Sequence, residues 1–412
     1  MSDNGKKHDP EKEQKKIKAV SRMKEIMTNY YIEAKGAREQ GRKVAWITSG
    51  GPVEPLIAMD VIPVYPENHG AMIGASKMGG QLCEKAEEMG YSRDLCSYAR
   101  ADIADAVYKQ GPISGLPEPD MLVCCNNICG TVLKWYETAA RYFDVPLFIL
   151  DTPFVHREFS QEAQKYVLSQ IHEYVGFLEG CCGRKMDYDR MEEVGRLSVE
   201  GTRLWQEVLD TCAHKPAPMT AFDAFFHLAL IVTLRGTRET VEYYSQLLDE
   251  LNERRRQKIA MVPNEKYRLL WDNLPVWYKT RWLSDKFASH DAALVADTYT
   301  SAWSGMVPDM QGRSFLEAMA ETYTKVYINI SIDMMFDIVA GMIKKYDVNG
   351  VVMHSNRSCK PYSLGQYDLR RMIMDRLGVP VLIIEADMVD ERSFSESQID
   401  TRIDAFMEAL KA

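Results

Sequence analysis

The sequence has no apolar run of the length that a membrane helix requires, no secretory leader and no excess of positive charge. A membrane span needs about 20 consecutive apolar residues. Residues Met1 to Pro10 contain no apolar stretch of the kind found in a signal peptide. The net charge is −9, whereas a nucleic-acid-binding protein is usually basic. We therefore expect a cytoplasmic protein that has neither a membrane nor a nucleic acid as its partner.

Several cofactor motifs are also missing. No G-x-x-x-x-G-K-[ST] segment is present, no G-x-G-x-x-G follows the first predicted strand, and no H-E-x-x-H occurs. The sequence therefore gives no support for a Walker-type ATP site, a nicotinamide site or a zinc-protease site. The chain that remains suits a folded protein, because it has 412 residues of which 46% are hydrophobic and 26% charged. That length corresponds to two or three domains.

Short apolar runs that alternate with helical patterns predict an α/β fold. Residues 161–260 carry helical patterns alone. We therefore predict two parallel-sheet domains with an intervening helical segment: a solvated tail over 1–24, a first α/β domain over 25–160, a helical segment over 161–260 and a second α/β domain over 261–412. The first helix is predicted over Arg22–Gln40, and the strands over Lys43–Ser49, Val61–Tyr65, Asp120–Cys125, Pro146–Leu150, Ala292–Asp297, Gly350–His354 and Pro380–Glu385.

The nine cysteines divide into two groups by their position on this map. Their odd number argues against a fully paired disulfide framework. Cys129 and Cys359 follow predicted strands, and Cys96 stands at the head of a predicted helix. The other six lie in strands or helices and are expected to pack as small hydrophobic side chains: Cys83, Cys124, Cys125, Cys181, Cys182 and Cys212.

Cys96, Cys129 and Cys359 are candidate ligands, because open α/β sheets bind ligands beyond the carboxyl ends of their strands. Three thiolates in one crevice suit a soft metal or an iron–sulfur cluster. Three protein ligands also leave one metal position open for water or substrate. The spacing along the chain matches no compact motif, so unliganded loop thiols remain the alternative.

Two further residues are expected at the same strand ends. Ser49 lies in a strand–turn–helix junction, where it either donates a hydrogen bond to a carbonyl or anion or simply caps a helix. Glu67 follows the second strand as an acid–base candidate, with a solvated loop carboxylate as the alternative. The basic segment Arg254–Arg256 could contact the phosphates of a nucleotide-tailed thioester or form a solvated helix end.

The segments that carry a family resemblance are centred on these cysteines and strand ends: Tyr65–Gly70, Asp94–Arg100, Cys124–Cys129 with Lys134–Glu137, and His354–Lys360, with Glu385–Arg392 and Asp400–Asp404 similar in outline. On these segments the chain resembles the 2-hydroxyacyl-CoA dehydratase / benzoyl-CoA reductase family, from about residue 24 to its end. The resemblance implies two flavodoxin-like (Rossmann-like) domains with a [4Fe-4S] cluster between them. It also implies that Cys96, Cys129 and Cys359 ligate the cluster and that one iron site stays open.

The activity implied by the resemblance is that of a hydro-lyase. The chain is expected to be the iron–sulfur subunit of an anaerobic (R)-2-hydroxyacyl-CoA dehydratase, which forms a 2-enoyl-CoA through a ketyl radical after one-electron activation. Ser49 would bind the thioester carbonyl, and Glu67 would act on the hydroxyl or on a proton. The expected partners are a homologous second subunit in a heterodimer, an ATP-dependent iron–sulfur activator protein and the acyl-CoA substrate.

Two alternatives stay open beside the dehydratase. One is a subunit of an ATP-dependent benzoyl-CoA-type ring reductase, and the other is a non-catalytic partner subunit that only holds a cluster. The segment Asn264–Trp277 does not separate dehydratases from reductases, whereas Cys125–Cys129 leans toward the dehydratases. The identity of the acyl group is not predicted.

Overall fold

The computed structural model describes residues 16–308 and 310–411. Residues 1–15 of the predicted tail lie outside the described residues. The last part of that tail is helical, so the prediction of a solvated tail is wrong there: helix α1 covers Ala19–Gly36. The backbone N–H of Ala19 donates to Glu250 Oε2 at 3.0 Å, and Met23 and Tyr30 are buried. The helix therefore forms because one of its faces packs on the rest of the protein.

The first sheet is entirely parallel and has the strand order β2-β1-β3-β4. Strands β1 and β3 are buried along their whole length, as expected for central strands of a sheet covered on both faces. The elements of this part are β1 (Val44–Ile47), α2 (Glu54–Ala58), β2 (Ile62–Val64), α3 (Pro66–Ala75), α4 (Gly79–Glu88), α5 (Ser97–Tyr108), β3 (Met121–Cys125), α6 (Gly130–Phe143) and β4 (Leu147–Leu150).

The segment from 161 to 260 contains no strand and is helical, as predicted. Its helices begin at caps that the sequence provides, since the side chains of Ser160, Asp187 and Thr237 each accept a hydrogen bond from a first-turn N–H. The helices are α7 (Gln161–Cys182), α8 (Tyr188–Asp210), α9 (Ala221–His227), α10 (Ala229–Thr233) and α11 (Arg238–Arg256).

The second sheet repeats the topology of the first, with four parallel strands in the order β6-β5-β7-β8. Its elements are β5 (Tyr267–Asp272), α12 (Thr280–Ala288), β6 (Ala292–Asp297), α13 (Thr298–Ser304), α14 (Phe315–Thr324), α15 (Ile332–Lys345), β7 (Gly350–Asn356), α16 (Lys360–Ser363), α17 (Gln366–Leu377), β8 (Val381–Ala386) and α18 (Glu396–Lys411). No described helix is both long and apolar enough to cross a bilayer.

All seven predicted strands are present, and the fold class of two flavodoxin-like parallel sheets is confirmed. Strand β5, which is central to the second sheet, was not predicted. Its apolar run is interrupted by Arg268, a residue type that is rarely buried. Arg268 is nevertheless buried, because its guanidinium donates to the carbonyls of Tyr346 at 2.7 Å and Cys212 at 2.6 Å. The domain limits at residues 160 and 260 stay a prediction.

The shared strand order gives each sheet a point at which the connections leave in opposite directions. This point lies between β1 and β3 in the first sheet and between β5 and β7 in the second. Ligands of open α/β sheets bind in the crevice beyond the strands at such a point. Buried polar contacts join the two halves nearby, including Arg100 with Asp390 at 3.2 Å. The fold therefore places two ligand-binding crevices close to one interface.

Candidate active site

A cavity of about 150 Å³ lies beyond the carboxyl ends of the central strands. Its wall includes all five residues that were singled out in the sequence, namely Ser49, Glu67, Cys96, Cys129 and Cys359. Ser49 follows β1, and Cys129 and Cys359 follow β3 and β7, which are equivalent strands of the two sheets. The structure thus brings together residues from both halves of the chain.

The three cavity cysteines share one local geometry, because each is the N-cap residue of a helix. Cys96 precedes α5, Cys129 precedes α6 and Cys359 precedes α16. The backbone N–H groups of Ala99, Val132 and Tyr362 lower the pKa of the respective cysteine, but none of the three side chains forms a capping hydrogen bond. A helix N-terminus offers unpaired N–H donors and a partial positive charge. The N–H groups at the three helix starts therefore favour the thiolate form, against the larger effect of burial.

Burial works against ionisation of the same thiols. It raises the pKa of Cys96 well above its ordinary value, and the nearby Cys129 and Cys359 raise it further. Burial also raises the pKa of Cys359 to about 12 and that of Cys129, to which the carboxylate of Glu67 adds. Without a cation the thiols stay protonated. A bound metal would displace the protons, because a thiolate needs a positive partner in a dry site.

The three thiols are a donor set of the type that an iron–sulfur cluster uses. Among the described residues, no three Cys, His, Asp or Glu side chains are placed to share one metal ion. In an iron–sulfur cluster, each cysteine binds its own iron, so the thiols can be spaced more widely than around a mononuclear metal. Three soft sulfur donors on three separate helix ends are compatible with that arrangement.

Glu67 lies in the first turn of α3 and faces the cavity, so the expectation of a solvated loop carboxylate is wrong. Its Oε1 accepts the backbone N–H of Ser49 at 3.0 Å, and its Oε2 accepts the hydroxyl of Tyr136 at 3.2 Å. Desolvation by burial outweighs these hydrogen bonds and raises the pKa of Glu67 to about 7. A carboxyl with this pKa can both give and take a proton near neutral pH.

The turn that carries Ser49 is supported from the helical segment by a buried ion pair that was not predicted. The guanidinium of Arg235 donates to the carbonyl of Gly51 at 3.3 Å and to the hydroxyl of Tyr323 at 3.2 Å. The Tyr323 hydroxyl donates to Glu54 Oε2 at 2.7 Å, and Arg235 and Glu54 are both buried. The sequence feature that could have indicated this ion pair is Arg235, a charged residue directly after an apolar helical pattern.

A second unpredicted network lies behind the thiols. The hydroxyl of Ser358, next to Cys359, donates to Asp387 Oδ2 at 2.5 Å. The hydroxyl oxygen of Ser358 also accepts the backbone N–H of Ser97, next to Cys96, at 3.2 Å. The network therefore fixes the relative positions of two cavity cysteines that come from different halves of the chain.

The remaining candidates lie away from the cavity. Arg254 is buried and donates to the carbonyl of Pro218 at 3.1 Å, whereas Arg256 pairs with Glu253. The segment is thus a helix end with ordinary partners, and it does not line the cavity. All nine cysteines are free thiols. None of the six cysteines assigned to packing lines the cavity. Four of them are buried and two are partly buried, namely Cys83, Cys124, Cys125 and Cys212, and Cys181 and Cys182, respectively.

Comparisons with known proteins show relatives that match nearly the whole chain. The (R)-phenyllactyl-CoA dehydratase alpha subunit of Clostridium sporogenes is 35% identical to this chain over 98% of each protein. The (R)-2-hydroxyisocaproyl-CoA dehydratase alpha subunit of Clostridioides difficile is 34% identical over 97% of each. A benzoyl-CoA reductase subunit of Thauera aromatica is 29% identical over 96% of this chain and 95% of its own length.

The family model described as 2-hydroxyglutaryl-CoA dehydratase, D-component, matches residues 48–410. That range contains all five cavity residues singled out in the sequence and every segment that carries the family resemblance. The chain belongs to the 2-hydroxyglutaryl-CoA dehydratase D-component family.

Proposed function

We propose that this chain is the cluster-bearing subunit of an (R)-2-hydroxyacyl-CoA dehydratase, a hydro-lyase that converts a 2-hydroxyacyl-CoA into a 2-enoyl-CoA. The observation that carries the proposal is the cavity, which is lined by three thiols at helix starts, by a carboxyl group with a pKa of about 7 and by the Ser49 turn. The names of the dehydratase relatives support the reaction type.

Cys96, Cys129 and Cys359 would hold a [4Fe-4S] cluster. When bound, the cluster would supply one-electron chemistry and, at the iron without a cysteine, a Lewis acid for the oxygens of the substrate. The helix N-termini behind the three sulfurs would stabilise their negative charge. The buried hydrogen bonds among Ser358, Ser97 and Asp387 would keep the cysteines from the two halves of the chain at fixed relative positions.

A radical path explains why such a site is needed, since the β-hydrogen of a 2-hydroxyacyl thioester is too weakly acidic for an ordinary base. One electron added to the thioester carbonyl gives a ketyl radical anion, which expels the 2-hydroxyl as hydroxide. The neutral enoxy radical that remains has a far more acidic β-hydrogen. Loss of that proton gives the ketyl radical anion of the product, and removal of the electron leaves the 2-enoyl-CoA. The net change is the loss of one water molecule.

Glu67 and Ser49 have complementary roles in this path. The protonated carboxyl of Glu67 would donate its proton to the departing hydroxide, and the carboxylate so formed can accept a proton in turn. Its contacts with the N–H of Ser49 and the hydroxyl of Tyr136 orient both oxygens. The hydroxyl of Ser49 would donate a hydrogen bond to the thioester carbonyl, where negative charge develops.

The electron has to come from outside this chain. We propose a separate ATP-dependent iron–sulfur activator protein as its donor and a homologous second subunit as the permanent partner in a heterodimer. The relatives named as alpha subunits support a multi-subunit assembly. Nine free thiols suit the reducing cytoplasm.

The test begins with the protein purified with its partner subunit under strictly oxygen-free conditions. We expect iron and sulfide in a cluster-like ratio, with the matching absorption and electron paramagnetic resonance signals. Cys96→Ala, Cys129→Ala and Cys359→Ala should each lower the iron content of this subunit and abolish turnover. Cys212→Ala is the matched control, because Cys212 is a buried thiol outside the cavity. Full iron content in the three cavity variants would contradict the ligand assignment.

A second candidate is a subunit of an ATP-dependent benzoyl-CoA-type ring reductase, which the similarity to the benzoyl-CoA reductase relative supports. The activated complex should be incubated separately with benzoyl-CoA and with (R)-2-hydroxyacyl-CoA thioesters. Formation of a dienoyl product and no enoyl-CoA would favour the reductase. A non-catalytic, cluster-holding subunit would instead retain turnover when Cys96→Ala removes its iron.

A further inference from the structure

Beside the site residues already described, the cavity wall is made of apolar side chains and of neutral polar ones, the latter from one threonine and four tyrosines: Thr131, Tyr98, Tyr299, Tyr327 and Tyr362. Aromatic and aliphatic side chains from both halves make up most of it, among them Trp135, Leu274, Tyr299, Trp303, Met306 and Ile328. No Lys, Arg or His occurs among the described residues that line it. An anionic group placed there would lose its hydration without gaining a partner of opposite charge.

Glu67, the acidic side chain of the described cavity wall, makes this environment less favourable for an anion. Like charges in a dry site raise the free energy of one another. A second carboxylate beside Glu67 would therefore be disfavoured by repulsion as well as by desolvation.

Three cations that neighbour residues of the wall have other partners. Arg235 stacks behind Trp303, with its guanidinium carbon 5.6 Å from the ring centroid, and it is neutralised by the buried Glu54. Lys325 precedes the lining residue Val326 but is exposed and pairs with Glu321 at 3.2 Å. Lys360 follows Cys359, yet its Nζ is directed to the carbonyl of Arg357 at 3.0 Å. Neither lysine lines the cavity.

We infer that the substrate carries an apolar acyl side chain, aliphatic or aromatic, and that a 2-hydroxyacyl-CoA with a terminal carboxylate is excluded. The inference rests on the proposed function, since it concerns the acyl group of the thioester in that same cavity. It separates this chain from a 2-hydroxyglutaryl-type specificity, which needs a cation for the distal carboxylate. The selectivity arises because the distal carboxylate of the glutaryl thioester would find no partner of opposite charge in the cavity. A buried charge without a partner lowers the affinity more than a difference of one methylene group does.

The experiment compares four CoA thioesters on the anaerobic, activated complex with its partner subunit: (R)-lactoyl-, (R)-2-hydroxyisocaproyl-, (R)-phenyllactyl- and (R)-2-hydroxyglutaryl-CoA. Both kcat/KM and the dissociation constant of each thioester are measured, the latter without activation. We expect the isocaproyl or phenyllactyl thioester to exceed the glutaryl thioester by about a hundredfold or more in kcat/KM. The difference should also be visible in binding.

The binding arm keeps the two proposals distinguishable. If no thioester is dehydrated but the apolar thioesters still bind more tightly, the proposed function fails and the inference on the acyl group stands. If 2-hydroxyglutaryl-CoA is bound or converted as well as the apolar thioesters, the inference is overturned whether or not the complex is a dehydratase.

A substitution in the wall provides the complementary test. Met306→Lys introduces a cation of similar length at the apolar wall, and Met306→Leu is the neutral control. The lysine variant should raise the efficiency ratio of 2-hydroxyglutaryl-CoA to 2-hydroxyisocaproyl-CoA by about tenfold or more, whereas the leucine variant should not. A folded Met306→Lys complex with an unchanged ratio would overturn the assignment of this wall to the acyl group. If that variant does not fold, the comparison of thioesters on the unmodified complex decides.

Discussion

Replacing Arg235 by methionine should destabilise the protein strongly, because it leaves the carboxylate of Glu54 buried without its cation. The two side chains are 3.5 Å apart and each is only 1% exposed. Removing one partner of a buried ion pair costs about 3–5 kcal/mol. Arg235 also donates to the carbonyls of Gly51 at 3.3 Å and Ile231 at 3.1 Å and to the hydroxyl of Tyr323 at 3.2 Å, so three further acceptors lose a donor. We therefore expect a loss at the upper end of that range.

The double variant Arg235→Met/Glu54→Gln should recover part of the loss, since the uncompensated charge is gone. We expect a coupling free energy of about 2 kcal/mol or more between the two positions. Arg203→Met is the control, because Arg203 forms an exposed pair with Glu207 four residues away on the same helix. That exposed pair is worth no more than about 0.5 kcal/mol.

The assay is urea unfolding followed by the fluorescence of the seven tryptophans and by circular dichroism. Agreement of the two probes shows whether a single free energy of unfolding applies. A loss below about 1 kcal/mol in Arg235→Met, or strict additivity in the double variant, would refute the reasoning. Either result would mean that water or another group compensates Glu54 once the arginine is gone.

Two further predictions concern the cavity. Because burial raises the pKa of Glu67 to about 7, its acid form persists up to that pH, and turnover that depends on this proton should fall as the pH rises through about 7. Glu67→Gln should remove that limb of the pH–rate profile and lower kcat by about a hundredfold or more. Glu137→Gln is the control, because Glu137 is partly exposed and pairs with Lys134. It should leave the pH–rate profile and kcat unchanged. A Cβ at Gly70 would stand 2.6 Å from the Tyr98 ring, so Gly70→Ala should cost about 1–3 kcal/mol in urea unfolding through overpacking. Gly176→Ala, in an open helical position, should instead stabilise by about 0.5–1 kcal/mol, and equal effects of the two alanines would contradict the packing argument.

The sequence was most informative where one local rule dominated. An apolar run such as that of β3 reads directly as a buried strand, and the run of helical patterns from 161 to 260 has clear caps at Ser160, Asp187 and Thr237. Strand β5 was missed because its buried Arg268 depends, besides the nearby Glu265, on carbonyls far away in the sequence. Tertiary partners of this kind leave no local signal.

The candidate site shows the same division. Strand ends and helix starts can be identified from the sequence, and they selected Cys129 and Cys359 after strands and Cys96 at the head of a helix. The environment of Glu67 could not be predicted, because its burial depends on Tyr136 and on the Ser49 turn. The support of that turn by Arg235 joins residues that are 184 positions apart. Only the folded chain brings them into contact.

The distribution of the cavity cysteines along the chain also sets an order of maturation. Cys96 and Cys129 are synthesised with the first sheet, whereas Cys359 follows β7 of the second. At ordinary rates of translation, roughly 10–50 s separate the second thiol from the third. During this interval a nascent chain has only an incomplete site. If one ligand is held by all three thiols, as proposed, it would bind completely only after the two halves have docked. Its binding free energy would then stabilise the contact between them.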